Sequence, residues 1–149
     1  MNQEDKQLLS KDLKARLSYG VKCTTKSSWN GIYTIEGYKD NRFFLDCPIY
    51  DEGDDEWMIE SIVPYLRPMS SMTEEEKEEL LNRLPKYWGL EIDKLGDLYF
   101  DICDACYPDI ELLTDIIDWL NEHHFDYRGL IPKGLAIAVT KENNPYKEE

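Results

Sequence analysis

The residues best suited to hold a metal or run thiol chemistry are few: four cysteines and two histidines. Cys103 and Cys106 form a CxxC pair, and His123-His124 follow in the same half of the chain. Thiolate and imidazole are zinc's preferred donors, so the set has the right chemistry. Its spacing is poor. Adjacent histidines on a helix point about 100° apart, so one of them could join, and Cys23 or Cys47 would have to complete four ligands. A redox reading wants a thiolate at a helix N-terminus, and Cys106 stands just before Pro108. Against both, a chain with no secretion signal keeps its thiols reduced and buried. Histidines near the C-terminus of a helix also have a plain role, because positive charge is favoured there. The expectation is four free thiols, no metal and no cofactor.

Carboxylates are abundant. The cluster Asp51, Glu52, Asp54, Asp55 and Glu56 (DEGDDE) could gather a hard cation, but it lacks the alternating ligands, sixth-position glycine and twelfth-position glutamate of an EF-hand loop. It reads as a solvated loop. The chain has no GxSxG, no HExxH, no glycine-rich phosphate loop and no dinucleotide fingerprint. With two adjacent histidines as its only near-neutral bases, it names no catalytic residue. One acidic set is better ordered: Glu111, Asp115, Asp118 and Glu122 fall on one side of a helix. They would span about 16 Å at ~1.5 Å per residue, less than half the density of a duplex carrying one charge per ~1.7 Å.

These residues must be positioned by recognisable elements. Residues 4–17 read as an amphipathic helix, with Leu9, Leu13 and Leu17 at four-residue spacing, Leu8 beside them and Gly20 as a stop. The period then changes to that of strands at Val21–Thr25, Gly31–Glu36 and Arg42–Cys47. Asn30-Gly31 marks a turn between the first two, and residues 37–41 separate the second from the third. Ile32, Thr34 and Glu36 alternate with Tyr33, Ile35 and Gly37, so one face should be apolar and the other mixed. A loop over residues 48–56 leads to a fourth strand near Trp57–Glu60, followed by the apolar run Ile62–Leu66. Pro68–Met72 is the clearest boundary. Thr73 and Glu76 form a capping box ahead of a helix running to about Leu84, with Glu74, Glu75 and Glu76 in its first turn. Residues 86–107 fit either strand or helix.

A helix over 108–124 starts with Pro108 at its first position. Its apolar line, Ile110, Leu113, Ile117 and Leu120, is widened by Leu112, Ile116 and Trp119 and should face the core. Leu135–Val139 reads as a strand, and residues 141–149 as a polar tail that frays. The fold class is therefore α+β. An N-terminal helix (1–19) precedes a small antiparallel β-meander (20–67), for which an SH3-like barrel is the expected topology. An α-rich part (68–140) packs on it.

Composition sets the outer limits. The 149 residues are 42% hydrophobic and 12% aromatic, enough for a core. No run approaches the ~18 apolar residues of a membrane span. With 17 basic and 31 acidic residues the net charge is −14, so direct binding to nucleic acid or an anionic membrane is disfavoured. The charge is uneven. Residues 1–28 carry an excess of base, at Lys6, Lys11, Lys14, Arg16, Lys22 and Lys26, and the remainder is acidic. The simplest reading packs the basic side of the first helix near the acidic remainder. The polar N-terminus has no apolar signal core, which points to the cytoplasm.

Three stretches, KDLKARLSYGVK (11–22), VPYLRPMSSMTEEEKEEL (63–80) and DWLNEHHFDYRGLIPKGLA (118–136), resemble an uncharacterised family of small acidic proteins. Its members come from Bacteroides-type gut bacteria, their prophages and other mobile elements. The resemblance implies a mobile-element setting and assigns no activity. An acidic residue is usual in that family where this chain has Pro132. Glutamate there would suit a short helix capped by Asp126 and ending at Gly134, which an interior proline disfavours.

The functional expectation is a non-catalytic protein-interaction or regulatory protein whose partner is a host or phage protein. Trp29, Tyr33, Tyr38, Tyr50 and Trp57 are candidate aromatic anchors, although most should be core. Two other classes compete. One is an acidic nucleic-acid mimic that inhibits a DNA- or RNA-binding host or defence protein through Glu111, Asp115, Asp118 and Glu122. The other is a small metal- or thiol-dependent enzyme.

Overall fold

The computed structural model describes residues 1–26, 31–46, 56–84, 89–92, 98–101 and 110–147. The chain divides into two units: Met1–Leu66 together with Arg128–Glu149, and Arg67–Tyr127 between them. The class is α+β.

In the first unit, α1 (Gln3–Ala15) is capped by Asn2, whose side chain accepts the Asp5 N–H. Strands β1 (Lys22–Thr25), β2 (Tyr33–Lys39), β3 (Arg42–Leu45), β4 (Glu56–Met58) and β5 (Ile62–Leu66) follow, a single 3-10 turn (Ile59–Ser61) separating the last two. The sheet order is β4-β3-β2-β1-β5-β8, where β8 (Ile137–Ala138) comes from the end of the chain and pairs with β5 in parallel. The other pairings are antiparallel.

The separator expected over residues 37–41 is shorter in the structure. Strand β2 runs on through Gly37, Tyr38 and Lys39, and Asp40-Asn41 make the corner, both with positive φ (53° and 63°). Two consecutive left-handed residues match a type I′ turn, whose twist suits a hairpin. Gly37 instead sits beside a register shift in the β2–β3 ladder, the place of a β-bulge. Strands β1 and β2 do pair, through a connection whose residues 27–30 lie outside the described set, Asn30 among them.

Alternation within the strands sets the core. Cys23, Tyr33, Ile35, Phe43, Leu45, Ile62 and Leu66 face inward and meet Leu9 and Leu13 of α1. Tyr33 is therefore core, as is Phe43, while Glu36 on the other face is exposed. Arg16 does not belong to a basic surface. It is fully buried, its Nε and Nη2 donating to the Asp12 carboxylate at 2.8 and 3.1 Å, and Arg128 Nε lies 3.3 Å from the same group. A buried carboxylate needs such partners, since an unpaired charge there would cost several kcal/mol.

The C-terminal stretch also departs from expectation, because residues 141–147 are tied down. Asn143 accepts from the Thr140 N–H and hydroxyl and donates to the Ala138 carbonyl. The Tyr146 hydroxyl accepts from the Lys22 N–H at 2.9 Å and donates to the Tyr65 carbonyl at 2.7 Å. Strand β1 faces β5 with Cys23 opposite Pro64, so Lys22 and Tyr65 come next in that register. The phenol oxygen joins them where the ladder stops. Residues 127–134 form turns, not the helix the family resemblance would suit. Gly134, with φ of 73°, donates to Ile131 while Leu135 donates to Leu130, the bonds of a Schellman turn.

In the second unit, α2 (Glu74–Asn82) opens with the expected capping box. Thr73 Oγ1 accepts the Glu76 N–H, and the Glu76 carboxylate accepts the Thr73 N–H, both at 3.1 Å. Strands β6 (Gly89–Ile92) and β7 (Leu98–Asp101) pair antiparallel. Helix α3 (Ile110–Glu122) completes the unit. Its core is Met69, Met72, Leu80, Leu84, Ile116, Trp119, Leu120 and Phe125. Arg67 is its polar hub. Both terminal nitrogens donate to Glu76 at 2.7 Å, and the guanidinium lies 4.1 Å over the Phe125 ring. Burial opposes ionisation of Glu76, but the Arg67 fork and the Thr73 N–H outweigh it and hold its carboxyl below the usual range. No helix among the described residues is long and apolar enough to cross a membrane.

Candidate functional site

Helix α3 carries the acidic candidates, so the way it turns its faces decides what they can do. Its buried residues are Ile116, Trp119, Leu120 and Asn121. Trp119 fixes this orientation: its ring stacks on His123 at 4.1 Å and on Phe125 at 5.9 Å, and its indole N–H reaches Glu79 at 3.3 Å. The expected core line is thereby overturned at three of its four positions. Leu120 is buried at 2% exposure, but Ile110 is 83% exposed, Leu113 42% and Ile117 37%. The reason is geometric. At ~100° per residue, a helix centred on Ile116, Trp119 and Leu120 swings 110, 113 and 117 to the rim of the buried stripe.

The exposed aliphatics form one ridge over two turns, and the carboxylates form a second ridge beyond it. Glu111, Asp118 and Glu122 are exposed. Asp115 is half-buried, and Arg83 at the end of α2 donates to both its oxygens at 3.0 and 3.3 Å. The four therefore share a side of the helix, with one of them already neutralised. The Thr114 hydroxyl between the ridges turns back to the Ile110 carbonyl at 2.7 Å. An apolar strip edged by charge is the pattern of an interface patch, dry at its centre and polar at its rim.

Only part of the metal and thiol set lies among the described residues. Cys47, Cys103 and Cys106 lie outside the described residues, as do acidic residues 51–55, Trp29 and Tyr50. Cys23 is fully buried on β1, and burial, with Asp46 nearby, pushes its thiol up to about 12. His123 Nδ1 is 2.8 Å from the Trp119 carbonyl, a helix-end contact that suits an N–H donor. His124 has φ of 63° and ends α3: its N–H donates to Asn121 while that of Phe125 donates to Leu120. It is the left-handed residue of a second Schellman turn, a role glycine usually takes. Among the described residues no group of three or more histidine, cysteine, aspartate or glutamate side chains is gathered as a metal would require.

Comparison with protein-family models, with curated proteins and with solved structures finds no match to this chain.

Proposed function

We propose that the protein is a non-catalytic protein-interaction or regulatory module that docks on its partner through α3. One observation carries the reading: Ile110, Leu113 and Ile117 form a single ridge, largely exposed at Ile110 and about two-fifths exposed at the other two. Isolated exposed aliphatics are ordinary, but three at i, i+3 and i+7 are the anchors of a helix that lies in a groove. The carboxylates beside them suit a host or phage protein whose apolar groove is edged by lysine or arginine. The resemblance of the chain to small mobile-element proteins fits that partner and a cytoplasmic setting. We further read β1–β5 as an SH3-like meander. The strand order, the 3-10 turn between β4 and β5 and the β1–β5 pairing support that reading.

The competing classes have weaker support. An acidic nucleic-acid mimic needs dense free charge, and Arg83 removes Asp115 from a stripe already sparser than a duplex. A metal- or thiol-dependent enzyme cannot draw on Cys23, whose buried thiol stays protonated.

The test is a triple variant, Ile110→Ser with Leu113→Ser and Ile117→Ser, compared with wild type in crosslinking from the native host. The variant should keep the wild-type unfolding midpoint and lose the crosslinked partner. An unchanged crosslinking pattern, or a midpoint that collapses as a core residue's would, overturns the reading.

A further inference from the structure

We propose that the first unit carries a separate docking groove for a short acidic peptide segment with one large apolar side chain. The groove lies between α1 and the sheet and has a volume of about 630 Å³. That is within the ~300–1,000 Å³ of a pocket that takes a compact ligand. Lys6, Lys11 and Lys14 form its rim on α1, while Tyr38 and Met58 form its sheet side, above the buried Phe43. Leu9 and Leu13 bury the other side of the helix, so the two faces of α1 are cleanly divided.

Charge identifies the occupant. The chain is strongly acidic, yet three lysines converge here. Among the described residues only Lys6 is matched, by Glu60 at 2.5 Å. Lys14 rests 4.1 Å over the Tyr38 ring, and among the described residues neither it nor Lys11 has a carboxylate partner. An acidic segment would place carboxylates on Lys11 and Lys14. Its apolar side chain would then lie against Tyr38 and Met58, the latter 48% exposed. Screening over about 8 Å at physiological salt separates a short peptide from the acidic remainder of the surface. A nucleic acid, charged every ~1.7 Å, would run past three lysines onto carboxylates.

The groove is independent of the α3 ridge, and one experiment keeps the two apart. A labelled peptide of Asp and Glu with one central Phe is titrated with the full chain, and fluorescence anisotropy is read. Wild type should bind, and Lys11→Glu with Lys14→Glu should weaken binding about tenfold or more, as lost and reversed ion pairs do. Met58→Ser should weaken it too, the α3 triple variant should bind like wild type, and raised salt should release the peptide. No binding to wild type, equal binding by the charge-reversed chain, or tighter binding of a single-stranded oligonucleotide overturns the proposal. Lys11 and Lys14 are exposed, so an unchanged unfolding midpoint certifies the variant as folded.

Discussion

Replacing Tyr146 by Phe removes one oxygen and should loosen the first unit measurably. That oxygen makes two bonds to backbone groups far apart in sequence, accepting from Lys22 and donating to Tyr65. Neutral hydrogen bonds contribute about 0.5–1.5 kcal/mol each, so the pair predicts a loss of about 1–3 kcal/mol. The upper part of that range applies if no water reaches the Lys22 N–H and Tyr65 carbonyl left behind. Urea titration followed by tryptophan fluorescence measures it. Truncation after Asn144 should cost at least as much, because it removes the ring as well. A loss below about 0.5 kcal/mol for Tyr146→Phe would refute the bridging role, since two intact bonds cannot be deleted for less. The phenol supplies a second check. Burial raises its pKa, and the bond from Lys22 only partly opposes this. A raised folded value means that the stabilisation is full below the unfolded value of about 10 and is lost as pH rises through the folded one. The stability gap between wild type and Tyr146→Phe should therefore narrow at strongly alkaline pH.

Leu120→Ala should cost about 2–5 kcal/mol, the range for a buried leucine, whereas Leu113→Ala should cost less than about 1; equal losses in denaturant would contradict the orientation given to α3. Thr73→Ala should cost about 0.5–2 kcal/mol through the capping box. Glu76 has a depressed folded pKa, so its contribution is present above the unfolded value and disappears as pH falls through the folded one. Glu76→Gln should accordingly flatten the acid limb of the stability curve, and an unaltered limb would remove Glu76 from the account. With the other three cysteines replaced by serine, Cys23 should resist thiol reagents at about pH 8 in the native protein and react once unfolded. Rapid native labelling would show that β1 opens.

What could be read from the sequence was mostly local. The capping box was legible because Thr73 and Glu76 satisfy each other within one turn, and the alternation of Tyr33, Thr34, Ile35 and Glu36 already divided the faces of β2. The β2–β3 connection is legible as residues 37–41, but not its corner: the structure narrows it to Asp40-Asn41, while Gly37 stays in β2 beside the bulge. Helix α3 was legible as a helix but not in its orientation. Its apolar residues cover more than one face, and periodicity alone cannot choose the centre; Trp119 chooses it through contacts with Phe125 and Glu79. Asp12 and Arg16 stand at ion-pair spacing, yet only the fold reveals that both are buried. The partnerships of Arg67 with Glu76, Lys14 with Tyr38 and Tyr146 with Lys22 link separated segments, and no pattern in the chain marks them in advance.

The order in which the two units can close during synthesis follows from the chain's course, because Arg67–Tyr127 lies in sequence between the two parts of the first unit. The second unit begins and ends at touching positions, for Arg67 bridges Phe125, donates to the His124 carbonyl and accepts the Asp126 N–H. Its own ends are thus clasped, and it can close as soon as residue 127 has emerged from the ribosome. The first unit starts earlier and finishes later. Its β5 has no neighbour on one side until Ile137 and Ala138 appear, and the β1–β5 seam waits further for Tyr146. During that interval the growing chain carries an open strand edge, the feature most prone to pairing with another molecule. A chain halted between residues 127 and 137 would carry a finished second unit and an unfinished first one, so aggregation rather than gradual loss of function would mark such a product.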